Sequence, residues 1–187
     1  MINPKSCFII FFLLLNACAS QPSQVIIAPE LMTAAQPKYQ GQSASIAIKD
    51  MRSGTHVLQI LRKDKAAQLY SPQTAISDVL NKVFRQEYAK QGLTISPSAN
   101  NQIKLFIDTA LISVQQEIFK YTVNSHISLR IVIENSEQTL TKTFNIRGNS
   151  HGPLQADIAV LERDFNQQLA KLINQVLASQ EIHQFIR

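Results

Sequence analysis

The residues that come nearest to covalent chemistry in type and spacing are Gly148-Asn149-Ser150-His151-Gly152, a literal G-x-S-x-G. Where this pattern forms a nucleophile elbow, a tight turn between strand and helix lifts the serine hydroxyl toward a histidine. Asp157 and His183 even follow Ser150 in the chain order that such a triad uses. Three considerations weigh against it. An elbow crowns a largely parallel sheet, whereas the strands near this one read as antiparallel. Pro153 interrupts the turn that must expose the hydroxyl. No separate glycine-rich loop offers the second oxyanion donor. The expectation is therefore a glycine-rich connection between a strand and a helix, with no catalytic residue and no enzymatic activity.

The other candidates are thinner. His56, His126, His151 and His183 lack the H-x-x-x-H or H-E-x-x-H spacing that puts two imidazoles on one helical face, so neither a metal nor another cofactor is expected. Asp50-Met51-Arg52 places opposite charges on one side of a strand-ending turn, where an ion pair would fix that turn. Arg62-Lys63-Asp64-Lys65 reads as a solvated turn. The formal net charge of +5 is scattered, with no basic stripe interleaved with aromatics, so nucleic acid is not expected as a partner.

One cysteine has a context. After Lys5 comes the apolar run Phe8-Ile-Ile-Phe-Phe-Leu-Leu-Leu15. As a helix it would span about 12 Å against the roughly 30 Å of a bilayer core, which makes it a signal-peptide segment rather than a transmembrane span. Leu15-Asn16-Ala17-Cys18 follows and resembles the lipobox of bacterial lipoproteins, in which the thiol is alkylated with diacylglycerol and becomes the new N-terminus. Processing there removes Cys7 with the leader and commits Cys18, leaving a folded part without thiol, disulfide or cysteine metal ligand. Two or more acyl chains anchor stably. Ala19, rather than aspartate, after the cysteine resembles the outer-membrane sorting signal, so the expected place is the outer membrane, lipid-anchored and facing the periplasm.

The elements that must position these residues follow from periodicity. Hydrophobic residues make up 45% of the 187 positions, enough for one core without staples. Residues 1–17 read as signal peptide, 18–42 as the lipidated cysteine and a flexible linker broken by Pro22, Pro29 and Pro37, and 43–187 as a single periplasmic domain. Within the linker, Val25-Ile26-Ile27 either adds a short strand to the domain or is a sticky piece of tether. Residues 43–48 and 56–62 read as short strands. Ser71-Pro72 offers an N-cap and first helical residue, and Ile76, Val79, Leu80, Val83, Phe84 and Tyr88 form the stripe of a helix closed by Gly92. Three strands follow: 103–114, apolar on both faces, then 121–133, then one carrying Leu140, Phe144 and Ile146. In the second, Val123, Ile127, Leu129, Ile131 and Ile133 alternate with Thr122, Asn124, His126, Ser128 and Arg130, which face water or a partner. A last helix over 154–179 carries Ile158, Leu161, Phe165, Leu169, Leu172, Ile173 and Val176, and residues 182–186 fold back on the core. The fold class is α+β, a two-layer sandwich with a mainly antiparallel sheet packed against two helices.

Taken in order, these pieces resemble the YajG family of bacterial lipoproteins. The matching runs are Leu15-Asn-Ala-Cys18, Asp50-x-Arg52, Asp78-Val-Leu-Asn-Lys-Val83 running to Gln91-Gly92-Leu93, Ile103-Lys-Leu-Phe-Ile107, Gly152-Pro-Leu-Gln-Ala156 and Ile182-His-Gln-Phe-Ile186. The resemblance implies an outer-membrane lipoprotein without an assigned activity, and it expects Gly152 but not Ser150. At greater distance the order of strands and helices is similar to periplasmic assembly and transport-accessory lipoproteins. The function expected is a non-enzymatic binding module for an envelope protein or component, docking through Thr122, Asn124, His126, Ser128 and Arg130 or through a free sheet edge. The alternative is a small-ligand or lipid carrier with a pocket between helices and sheet. The bilayer itself is a partner through acylated Cys18.

Overall fold

The computed structural model describes residues 24–32 and 37–186; the signal peptide, the lipobox and Cys18 lie outside the described residues. Numbering follows chain order: β1 (Gln24–Val25), β2 (Ser43–Asp50), β3 (Leu58–Arg62), β4 (Gln68–Pro72), α1 (Ile76–Lys90), β5 (Thr94–Ile95), β6 (Asn101–Gln116), β7 (Lys120–Glu134), β8 (Thr139–Pro153), α2 (Ile158–Leu177) and α3 (Gln180–Phe185).

The spine is β6, 16 residues long, which turns Ile103, Leu105, Ile107, Ala110, Ile112 and Val114 into the core. On one side it pairs antiparallel with β7, and β7 with β8, as an antiparallel meander. On its other side two strands share one edge. β2 runs parallel to the first half of β6, ending at Asp50 opposite Ile107, and β3 runs parallel to the second half, starting at Leu58 opposite Ile112. β4 pairs antiparallel with β3, while β1 and β5 add parallel to β4 and β2.

The sheet of eight strands is thus mixed rather than mainly antiparallel, and it curls into a half-barrel rather than lying flat. Short connections suggest hairpins, but β2 and β3 are joined by residues 51–57 and still run the same way, in line along β6. The curl has a local contributor, a register shift between Ile107 and Thr109 that leaves Asp108 as a bulge; bulges bend the strand that carries them.

Both long helices share one hydrophobic core with the sheet. α1 buries Ile76, Leu80, Phe84 and Tyr88. It starts later than the Ser71-Pro72 signal suggests, because those residues end β4; the N-cap is Ala75, without a side-chain cap. Its C-terminus ends on Gly92, with φ of +89°, which lets the Leu93 N–H reach the Tyr88 carbonyl at 3.0 Å and the Gly92 N–H reach Ala89 at 2.9 Å. α2 starts at Ile158 because Asp157 caps it, accepting from the Ala159 N–H at 2.8 Å. Its buried stripe of Leu161, Phe165, Leu169, Leu172, Ile173 and Val176 contributes on the order of 10 kcal/mol before entropy is subtracted. The chain then turns back through α3, burying Ile182 and Ile186.

Packing begins early in the chain. Val25 and Ile27 are buried, within the stretch read as linker. The Ile26 N–H donates to Glu162 at 2.7 Å, and Asn166 both accepts from the Ala28 N–H and donates to the Ile26 carbonyl, at 2.9 Å each. Side chains of α2 thereby satisfy backbone groups that a further strand would otherwise take.

Candidate functional site

The G-x-S-x-G run lies inside β8, not in a turn: Gly148, Ser150 and Gly152 sit opposite Ser125, Val123 and Tyr121 of β7. This corrects the expected strand-to-helix connection, and an extended strand cannot present Ser150 as an elbow does. The glycines have a packing reason. A Cβ at Gly148 would stand 2.8 Å from Ser125 Oγ, and one at Gly152 would stand 2.5 Å from the Tyr121 hydroxyl. Space at Gly148 lets Ser125 donate to Gln168 of α2 at 2.7 Å. The other two residues of the hypothetical triad are engaged elsewhere, Asp157 as the α2 cap and His183 through Nε2–H to the Lys38 carbonyl at 2.8 Å.

The Asp50–Arg52 pair forms, and it does more than fix a turn. Where β2 leaves β6 and β3 has not yet joined it, β6 lacks a strand partner on that edge, though β7 still pairs with its other side. Arg52 folds back into that gap. Its Nε and Nη2 grip the Asp50 carboxylate at 2.9 and 2.7 Å, while Nη1 donates to the His56 and Ala110 carbonyls at 3.2 and 3.1 Å. The side chain is 8% exposed. Burial would raise the Asp50 carboxyl, but hydrogen bonds and charge from Arg52 outweigh it and hold the group below its ordinary value. The guanidinium is a splint across a break in the ladder.

The five strand residues singled out as a docking surface share the outer face of β7 but differ in access. Thr122 and Asn124 are exposed, His126 and Arg130 half-buried, and Ser128 buried. Arg130 is committed within the sheet: it makes two 2.9 Å bonds to Asp108 at the bulge and lies 4.5 Å over the Phe106 ring. Register adds what the β7 sequence does not show. Ser113 and Asn149 flank Asn124, and Leu111 and Arg147 flank His126. Together they line a shallow depression of about 770 Å³. His126 Nε2 is shielded and without a hydrogen-bond partner among the described residues. With Arg147, two asparagines and no carboxylate, the depression suits polar or anionic groups. Alternation in the 139–153 run could have marked Arg147 and Asn149, once β8 was seen to continue past Ile146.

The helix side of the sheet differs from this. A cleft of about 510 Å³ runs between β8 and α2, with Val123, Ile146 and Leu161 at its floor and Gln167, Gln168 and Lys171 on its helical wall. Between the layers proper, among Val25, Val57, Ile112 and Phe165, the space is about 10 Å³, no more than a single water would need. Buried Tyr39 and Tyr88 meet edge to face at 5.7 Å, and burial pushes the Tyr39 phenol up to about 12 and raises Tyr88 as well. Among the described residues no helix is long and apolar enough to cross a membrane.

Comparisons place this architecture. A solved Xanthomonas campestris protein of the DUF330 family superposes with a TM-score of 0.63 at 12% identity, covering 88% of this chain and 97% of that one, which shows a shared fold. Looser matches are an uncharacterized protein (TM-score 0.40, 13% identity, 83% and 99% covered) and a Helicobacter pylori protein named for homology to a neuraminyllactose-binding hemagglutinin (0.41, 12%, 86% and 99%). Both are too distant to carry an argument. No curated protein matches the chain significantly. A family model described as uncharacterized lipoprotein matches residues 29–187, so the chain belongs to the YajG-type family of uncharacterised lipoproteins.

Proposed function

We propose that this protein is an outer-membrane lipoprotein, acylated at Cys18 and facing the periplasm, whose domain binds an envelope protein rather than catalysing a reaction. The observation that carries the reading is the uncovered polar face of β6–β8. Asn124, His126, Arg147 and Asn149 gather there, and Arg147 makes no ion pair among the described residues. Beside it, β8 pairs over 15 residues with β7 and with no other strand among the described residues, an edge suited to strand addition. Lys142, Arg147 and Pro153 discourage indiscriminate edge pairing, which favours one matched partner over self-association.

The test is in-cell photocrosslinking from Asn124 and Asn149, with Lys82 on the exposed side of α1 as the comparison. One discrete adduct from the first two positions and none from Lys82 supports the reading; no adduct from either contradicts it. A small-ligand carrier is the second reading, and the β8–α2 cleft favours it. The mixed lining suits a small polar ligand better than a lipid, and native mass spectrometry of the purified protein would retain such a ligand.

A further inference from the structure

Three large apolar side chains stand in solvent at one end of the sheet: Ile118 is 84% exposed, Phe119 78% and Leu154 67%. Ile118 and Phe119 are the central residues of the β6–β7 turn, closed by the Glu117 N–H to the Lys120 carbonyl at 2.9 Å. Turns ordinarily put Gly, Asn or Asp at such positions. Leu154 takes a φ of +61°, uncommon for any residue with a side chain, and its N–H donates to the Phe119 carbonyl at 2.8 Å. A buried amide holds the three together from beneath. Gln116 Nε2 donates to the Glu117 and Leu154 carbonyls, both at 2.7 Å, and its Oε1 accepts from the Ala156 N–H at 3.1 Å. The fold thus uses a buried polar residue and a strained leucine to keep an apolar tip in water.

The rim of the tip is basic. Arg62, Lys63 and Lys65 from the β3–β4 turn, with Lys120, outnumber Asp64 and Glu117. Apolar side chains ringed by cations match a bilayer interface, where alkyl and aromatic groups enter the headgroup layer and cations meet phosphate.

Chain direction points the same way. β1 runs parallel to β4, and β4 starts at the tip end, with Gln68 opposite Ile60 two residues short of Arg62. The N-terminal end of β1 therefore faces the tip. From Gln24, six residues lead back to Cys18 and reach at most about 20 Å. Along β6, Ile112 lies opposite Leu58 near the level of β1, and the six residues on to Ile118 also cover about 20 Å. Anchor and tip can therefore meet one surface.

We propose that the Ile118-Phe119-Leu154 tip is a second membrane contact, seated in the bilayer that carries the Cys18 acyl chains; this rests on the reading of Cys18 as lipidated. With the tip down, β6–β8 stand away from the lipid and the face bearing Asn124 and Arg147 stays clear of it.

The chain has no tryptophan, so Phe119→Trp makes a single reporter, with Met51→Trp as the comparison. Each full-length protein is purified from membranes and placed in phosphatidylethanolamine vesicles doped with phosphatidylglycerol and containing brominated lipid. Expected are a blue-shifted, strongly quenched indole for Phe119→Trp, a solvent-like one for Met51→Trp, and a severalfold loss of quenching when Ile118→Asp and Leu154→Asp are added. Equal, solvent-like emission from both reporters in vesicle-bound protein overturns the proposal. The mass of the Cys18 peptide reads the anchor separately: unmodified Cys18 with a quenched Phe119→Trp indole refutes the anchor and sustains the tip.

Discussion

The β2–β3 seam and the β6–β7 tip use their residues in opposite ways. At the seam, the charged Arg52 is drawn inside and each of its three guanidinium nitrogens donates to an acceptor, because β6 would otherwise leave the Ala110 carbonyl without a partner there. At the tip, Ile118, Phe119 and Leu154 stand in water although nothing in the turn's own geometry calls for apolar side chains. A polar group indoors whose nitrogens all find acceptors within the fold is a structural part. Apolar groups held outdoors by a buried amide are best explained by something outside the chain. The comparison teaches that exposure has to be read against side-chain chemistry: a buried cation supplied with acceptors serves the fold, whereas apolar side chains kept in water do not.

The largest expected effect breaks the seam. Arg52→Ala strands the Asp50 carboxylate and two carbonyls and should cost about 3 kcal/mol, near 10 °C in Tm by thermal denaturation; a loss under about 1 kcal/mol would show the splint to be dispensable. Gln116→Leu should cost roughly 2 kcal/mol and, more tellingly, speed hydrogen exchange at the Ala156 amide, since that N–H loses its acceptor; unchanged exchange would mean that the tip is held by other means. Acid sharpens the seam further. Asp50 titrates below its ordinary value of 3.8, so the pair's contribution is present above that pH and lost as pH falls through the lowered value. Equilibrium denaturation of wild type and Arg52→Gln should therefore converge in acid below pH 3.8 and stay apart at neutral pH. Tyr88→Phe removes a fully buried hydroxyl that has no partner among the described residues and should raise stability by about 1 kcal/mol; destabilisation would reveal an unrecognised bond. The smallest change belongs to the tip: Phe119→Asp should leave chemical-denaturation stability within about 0.5 kcal/mol, because the side chain packs against little.

Much of this was legible in the sequence, for reasons that particular residues make plain. The stripes on α1 and α2 and the inward set on β7 follow from periodicity, and Gly92 ends α1 as read because a left-handed C-terminal residue leaves few choices. The Asp50-x-Arg52 spacing announces an ion pair. What local pattern could not carry is strand direction: β2 and β3 lie on the same edge of β6, a relation created by pairing partners distant in sequence. Ser71-Pro72 misleads because the chemistry of a helix cap also suits the end of an edge strand. Gly148 and Gly152 suggest a turn when only the packing of Ser125 and Tyr121 explains them. Of the candidate surface, β7 supplied Thr122, Asn124 and His126, but Arg147 and Asn149 join them by register alone. The tip is not legible in the sequence because Ile118 and Phe119 fall in a short connection between strands 103–114 and 121–133 and Leu154 reads as the start of a helix, so only the fold brings the three together in water.

The account hangs on the domain being held at a membrane by Cys18. Mass spectrometry of the mature N-terminal peptide from isolated outer membranes tests this most directly. The account predicts a peptide beginning at Cys18 and carrying diacylglycerol; a chain that retains Met1, or a Cys18 with a free thiol, would contradict it.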